Sequence, residues 1–249
     1  MKTSNKLLIA GILFLLVSLV AYDLKVKEAY NSGSYKNAYR DFTSLNFKDF
    51  DSVDVISSTA ANVKFIQGPF KVIIDNDALE FVKIKQQGKR LQITARFEYD
   101  YHNTRSSYVL VISCPRLVQL NTSAEYTANG KQVIDTAVKE EWRMRRVLID
   151  GFKEDSLSIH QDYASTVVLA NNTIKSTFAV TGASPGSGSK LIVLKNNKFG
   201  NANIDILNKS SFLLNNAAIQ NLSYHLADSA RMTVNGAAQN LFSKYQNLK

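Results

Sequence analysis

Apolar and polar residues alternate along most of the chain after residue 50. Val53 and Val55 are separated by a polar residue, and the same period of two recurs around Val63 and Phe65. Further short runs, rich in β-branched residues, follow at intervals of about 8–12 residues and are separated by Asn, Gly and Asp. This pattern predicts an all-β domain, in which only residues 136–150 are ambiguous.

The C-terminal part of the chain carries a repeat marked by asparagine. An Asn-Asn or Asn-Gly dipeptide follows a short apolar run at intervals of 25, 19 and 20 residues. A repeat of this length, made of short strands and tight turns, indicates a β-solenoid, in which stacked rungs cover one another's apolar faces. An antiparallel sandwich with Asn-rich turns is the alternative. The dipeptides are Asn171-Asn172, Asn196-Asn197, Asn215-Asn216 and Asn235-Gly236.

A different pattern occupies the N-terminus, where two lysines precede an apolar run from Leu7 to Tyr22, as in a secretory signal or signal-anchor. A helix of these 16 residues covers about 24 Å, less than the roughly 30 Å hydrocarbon core, which favours a cleaved signal. Cleavage after Ala21 would place the large Leu19 at the −3 position, which argues against it. We therefore predict an uncleaved membrane anchor over residues 1–24, a juxtamembrane tether over 25–49 and an extracytoplasmic body over 50–249.

Composition narrows the chemistry that this body can perform. The 249 residues carry a net charge of +9, a single Cys and three His. One Cys excludes an intramolecular disulfide framework and a Cys-rich zinc site. The histidines, His102, His160 and His225, lack the short spacing of a metal centre. We predict neither a metal nor a cofactor, and for an exported protein we do not expect nucleic acid as a partner.

Several of these segments resemble a known family. The segments at residues 50–55, 63–68, 91–93 and 109–117, together with the corner Thr181-Gly182-Ala183-Ser184, resemble the auto-transporter adhesin head GIN domain family. This domain of unknown function is common in envelope proteins of Bacteroidetes. The resemblance covers about residues 47–243. It implies a right-handed parallel β-solenoid with short rungs outside the cytoplasm, and it brings no catalytic residues.

Two patterns are compatible with catalysis. Residues 182–186 fit the G-x-S-x-G motif of serine hydrolases, but a flexible loop follows Ser184 where that motif requires a helix. Asp162, Asp205 and Asp228 could fall along one solenoid face, and clustered carboxylates would suit a carbohydrate-active enzyme. We predict that the protein is not an enzyme and keep the carbohydrate-active enzyme as the alternative function.

The predicted function is a non-enzymatic cell-envelope binding or scaffold module, related to adhesion or glycan binding. Besides the membrane that holds its helix, its expected partner is an envelope glycan, lipopolysaccharide or protein. A basic cluster beside an aromatic ring would suit an anionic partner, with two of its arginines facing outward on a strand. Tyrosines would suit stacking on sugars. The predicted ligand-binding residues are Tyr99, Tyr101, Tyr163, Trp142, Arg143 and Arg145.

Overall fold

The computed structural model describes residues 3–33, 36–98, 108–136 and 145–241. The chain divides into two units, Met1–Phe42 and Thr43–Lys249. The first contains one helix, α1 (Thr3–Asn31), whose described side chains include no buried residue. This helix is long and apolar enough to cross a membrane. It continues seven residues beyond position 24, where we predicted the end of the anchor, and so takes up the start of the segment that we assigned to the tether.

Within its described residues the second unit is built almost wholly of strands, as the alternating pattern predicts. Two short 3₁₀ turns, Asn76–Ala78 and Gly236–Gln239, complete it. The strands are β1 (Phe42–Leu45), β2 (Ser52–Val55), β3 (Val63–Gln67), β4 (Lys71–Asp75), β5 (Val82–Gln87), β6 (Arg90–Phe97), β7 (Leu110–Cys114), β8 (Gln119–Thr122), β9 (Glu125–Ala128), β10 (Lys131–Ile134), β11 (Val147–Asp150), β12 (Lys153–Gln161), β13 (Thr166–Ala170), β14 (Thr173–Thr181), β15 (Lys190–Val193), β16 (Lys198–Ile206), β17 (Ser211–Asn215), β18 (Ala218–Leu226) and β19 (Arg231–Asn235).

These strands form two large sheets. The nine-stranded sheet has the order β1-β4-β7-β3-β11-β13-β15-β17-β19, and the ten-stranded sheet has the order β10-β9-β6-β2-β8-β12-β14-β16-β18, with β5 also paired to β6. From β11 onward successive strands alternate between the two sheets, and every pair among them is parallel. The parallel arrangement that we predicted therefore holds for the C-terminal half.

The N-terminal half of the body mixes parallel with antiparallel pairs, so the prediction of a uniformly parallel array is wrong there. β4 pairs antiparallel with β7, β5 with β6, and β9 with β10. The β9–β10 hairpin turns at Asn129 and Gly130, whose φ angles of 50° and 70° suit a tight two-residue turn. Hairpins of this kind join strands that are adjacent in sequence, whereas a parallel pair requires a longer crossover.

The asparagine repeat has a clear structural role. Asn171 and Asn196 adopt positive φ angles of 57° and 70°, as short polar side chains tolerate. The following residues, Asn172 and Asn197, are buried and donate side-chain hydrogen bonds to the carbonyls of Ile149 (3.1 Å) and Leu169 (2.8 Å). In these two pairs the first asparagine makes the turn, and the second ties neighbouring turns of the chain together.

Candidate binding surface

One register column on the outer face of each sheet shows how the two faces differ in chemistry. Alternate residues of a strand point to opposite faces, and the buried residues identify the inner one. On the ten-stranded sheet one outer column passes through Asp54, Asn121, His160, Val180 and Asp205. Four of these five residues are polar or ionisable, as expected of a face that contacts water.

Hydrogen bonds link the polar side chains at one end of this face. Arg90 donates to Asp54 over 2.7 Å from Nη1 to Oδ1, and the amide of Asn121 donates to the same oxygen over 2.7 Å. Gln119 in turn donates to Asn121 over 3.2 Å. A shallow depression of about 340 Å³ lies beside this network, and its lining includes His160 and Asp162. The network keeps these polar groups paired with one another.

The outer face of the nine-stranded sheet is aliphatic along its centre. One register column carries six aliphatic side chains, which we call the aliphatic stripe. Lys64 interrupts the column between its second and third members, and the exposed Thr233 ends it. At 4.7–4.9 Å per strand the stripe is roughly 30 Å long. Its members are Ile73, Val111, Leu148, Val168, Ile192 and Leu213.

The aliphatic stripe is separate from the interior of the body. None of its six members belongs to the apolar cluster that fills the space between the sheets. Their immediate neighbours in the chain, such as Leu191 and Val193 beside Ile192, point inward and are fully buried. Ile73, Val111 and Val168 are buried, at 8%, 5% and 3% exposure, whereas Leu148, Ile192 and Leu213 remain partly accessible to solvent. The accessible part of the stripe therefore consists of these last three side chains, and adjacent solvent-accessible aliphatic side chains suit an interaction site.

Basic side chains border the aliphatic stripe on one side. Three cations each lie two residues before a residue of the register column that contains the stripe, and they therefore lie on the same face as that column: Arg146, Lys190 and Arg231. Lys190 and Arg231 are exposed and lie in one register column, two strands apart. We call these three residues the basic border. The lysine within the column, Lys64, is paired with Asp150 over 3.2 Å.

Of the ligand-binding residues predicted from the sequence, four lie outside the described residues: Tyr99, Tyr101, Trp142 and Arg143. Tyr163 lies at the corner after β12 with a positive φ of 51°, and its side chain is half-buried. Arg145 is only 9% exposed and donates a hydrogen bond to the carbonyl of Thr59. Burial lowers the pKa of its guanidinium to about 10. The prediction that Arg145 faces outward on a strand is therefore wrong.

The carboxylates considered for catalysis lie in separate surroundings. Asp162 accepts hydrogen bonds from the hydroxyls of Ser184 and Ser187 and from the backbone N–H groups of Tyr163 and Ser184, the last two at 2.9 Å each. Burial opposes ionisation of Asp162, but these hydrogen bonds outweigh it and lower the pKa of the carboxyl below its ordinary value. The Ser184 hydroxyl therefore contacts a carboxylate that stabilises a turn.

Asp205 and Asp228 differ from Asp162 in register. Asp205 lies within β16, whereas Asp228 follows β18 and is exposed. His160 and His225 do share one column, as the repeat predicts, but Val180 and Asp205 separate them. Three strand spacings amount to about 14 Å, too far for one metal ion. Among the described residues, no group of three or more His, Cys, Asp or Glu side chains could hold a metal.

The sequence carries a signal for the aliphatic stripe that the alternating pattern obscures. Residues 147–149, 167–169, 191–193 and 212–214 are runs of three apolar residues without a polar one between them. In a strand with one buried face the middle residue would ordinarily be polar. The middle residues here are members of the stripe. Uninterrupted apolar runs at successive repeats therefore indicate strands that are apolar on both faces.

Comparison with known proteins gives distant structural likenesses. No family model and no curated protein matches this chain. A solved structure named "putative adhesin" from Bacteroides fragilis aligns at 10% identity with a TM-score of 0.40, covering 78% of this chain and 96% of that one. A "putative lipid binding protein" from Parabacteroides distasonis aligns at 14% identity with a TM-score of 0.27, over 78% and 96%. A "putative adhesin" from Parabacteroides merdae aligns at 7% identity with a TM-score of 0.29, over 78% and 95%. With every TM-score below 0.5, these likenesses carry no argument about this chain.

Proposed function

We propose that this chain is a non-enzymatic, exported and membrane-anchored binding module of the cell envelope, and that it acts through the aliphatic stripe. In this proposal residues 1–24 belong to the anchor, 25–49 form the tether, and 50–249 form a GIN-like body whose parallel part is a right-handed β-solenoid. The observation that carries the proposal is the difference between two outer register columns: the one on the nine-stranded sheet carries six aliphatic side chains, three of them partly accessible, whereas four of the five residues named on the ten-stranded sheet are polar or ionisable.

The stripe is more than the fold requires. The interior already contains a continuous apolar cluster drawn from both sheets. The accessible members of the stripe, Leu148, Ile192 and Leu213, lie outside this cluster and leave part of their apolar area in water. Exposed apolar surface also carries a solubility cost. A partner that covers the stripe would remove that cost and gain the burial energy, at roughly 25 cal/mol for each Å² of apolar surface.

Rigidity also supports a binding role. Parallel pairing holds the members of the stripe at a fixed strand spacing of 4.7–4.9 Å, so a partner meets a surface that is already ordered. The stripe spreads over seven strands. We therefore expect its affinity to arise from many shallow contacts, with no single side chain dominating.

Site-specific photo-crosslinking tests this function. A photoreactive amino acid replaces Ile192 in the stripe or, as a matched control, the half-buried Val180 on the outer face of the other sheet. After irradiation of cells that express the full-length chain, we expect a discrete crosslinked species from position 192 and none from position 180. The mass of that species identifies a lipid, a glycan or a protein. Equal crosslinking from both positions, or none from position 192, would overturn the proposal.

A further inference from the structure

We infer that the aliphatic stripe and its basic border bind the surface of an anionic phospholipid bilayer. This inference rests on the proposed function and identifies the partner of the same surface. The two parts of the surface match the two parts of such a bilayer. Aliphatic side chains suit the boundary of the acyl chains, and the cations Arg146, Lys190 and Arg231 suit phosphate-bearing headgroups.

The charges favour an anionic partner over a second copy of this chain. Lys190 and Arg231 are exposed, and no ion pair joins either side chain to an acidic residue within the part of the chain that the structure describes. Two strand spacings separate them, about 10 Å, so each cation can meet its own headgroup. On this surface a second copy would present the same cations, and its carboxylate, Asp150, is already paired with Lys64.

The stripe is aliphatic throughout, which favours acyl chains over sugars as its partner. Glycan recognition by stacking requires ring faces, and the six members of the stripe supply none. Val, Ile and Leu side chains contribute through the removal of apolar area from water, and this driving force suits contact with lipid tails. The polar outer face of the ten-stranded sheet has no comparable aliphatic column within the described strands.

The anchor would keep the proposed partner within reach. Only residues 32–41 separate the end of α1 at Asn31 from the start of β1 at Phe42. Ten residues extend to at most about 35 Å, so a chain whose helix spans a bilayer cannot carry its body far from that bilayer. Tethering raises the effective lipid concentration and allows weak surface contacts to be occupied.

A fluorescence quenching experiment on the full-length chain in lipid nanodiscs tests this inference. An added cysteine at Ile192 or, as the control, at Val180 carries a nitrobenzoxadiazole label. The native Cys114 does not compete for the label, because it is fully buried and burial raises the pKa of its thiol to about 12. The discs contain phosphatidylcholine with or without phosphatidylglycerol, together with a spin-labelled lipid that quenches the label on contact.

We expect quenching of the label at position 192 in discs with phosphatidylglycerol and not of the label at position 180. Reversal of two border charges, Lys190→Glu with Arg231→Glu, should lower the ratio of docked to undocked body by at least fivefold for each cation. The matched control, Lys153→Glu with Lys198→Glu, alters two exposed lysines of the ten-stranded sheet and should leave quenching unchanged.

Three results would overturn the inference: no quenching at position 192, equal quenching at both positions, or quenching that is indifferent to phosphatidylglycerol and to the border charges. If quenching fails while position 192 still crosslinks to a protein or a glycan in cells, the bilayer is not the partner but the proposed binding function stands. If both experiments fail, the binding function fails with the inference.

Discussion

One carboxylate organises two successive turns of the chain at the corner after β12. Asp162 accepts the backbone N–H of Tyr163 in its own turn and that of Ser184, 22 residues later, each at 2.9 Å. The hydroxyls of Ser184 and Ser187 also donate to it. All four donors favour the ionised carboxylate, which is why the pKa falls despite the opposing effect of burial. In this corner Asp162 acts as a structural acceptor.

We predict that Asp162→Asn lowers the free energy of unfolding at pH 7 by about 1–3 kcal/mol, because an amide replaces a charged acceptor. A carboxyl whose pKa is lowered in the folded state stabilises that state fully above its unfolded pKa of about 3.9, and this contribution disappears as pH falls through the folded pKa. The difference between the wild-type chain and Asp162→Asn should therefore shrink towards pH 2. Urea denaturation in detergent micelles at pH 7 and at low pH measures it.

The exposed Asp228 provides the control for this prediction. Asp228→Asn should change the free energy of unfolding by less than about 0.5 kcal/mol. If Asp162→Asn is as stable as the wild-type chain at pH 7, or if its defect does not depend on pH, the account of the corner is wrong.

The asparagine repeat shows what single residues reveal in the sequence and what they do not. The pattern predicts both left-handed turns and hydrogen-bonded ladders of side chains, and Asn171 and Asn172 provide one of each. At the third repeat, however, the turn residue is Asn216, with a φ of 54°, and Ala217 follows it. The dipeptide Asn215-Asn216 is thus displaced by one position. Sequence spacing alone does not reveal this, because Asn215 is a strand residue that happens to precede the turn.

At the level of the strand, the aliphatic stripe arises from runs of three apolar residues. In β15 the inner neighbours Leu191 and Val193 are fully buried, whereas Ile192 between them faces outward. Periodicity alone cannot separate a doubly apolar strand from a strand buried on both faces. That distinction depends on what packs against the outer face, which is a property of the assembled sheets.

Two adjacent substitutions in β15 should differ sharply in their effect on stability. Leu191→Ala removes a fully buried side chain and should cost about 2–5 kcal/mol. Ile192→Thr replaces an outward side chain with a polar one of high strand propensity and should cost less than about 1 kcal/mol. Urea denaturation of both variants measures the contrast. Comparable losses would mean that Ile192 is a core residue, and the stripe would then not be a free surface.

Across the whole molecule, the sequence predicts local structure better than strand pairing. The alternating pattern predicts the strands, and the apolar run predicts the helix. The antiparallel pairing of β4 with β7 joins segments that are about 40 residues apart, and no local pattern specifies such a pairing. The helix continues to Asn31 through a polar segment that hydropathy assigns to the tether, since helical structure does not require apolar residues at every position.

The location of the body is the property of the whole molecule on which the proposed function depends. We expect a protease added to intact cells with an outer membrane to leave a C-terminally tagged chain uncut, and to digest it once that membrane is permeabilised. The reason is that α1 would anchor the chain in the inner membrane with its body outside the cytoplasm.

A matched variant, Leu13→Arg with Leu16→Arg, places two charges in the apolar run at an insertion cost of about 2.5–3.5 kcal/mol each. Its body should stay in the cytoplasm and resist the protease in both conditions. Digestion of the wild-type chain on intact cells would place the body on the cell surface and contradict the inner-membrane anchor. Protection of the wild-type chain in both conditions would contradict export, and the stripe would then face the bilayer from the cytoplasmic side or not at all.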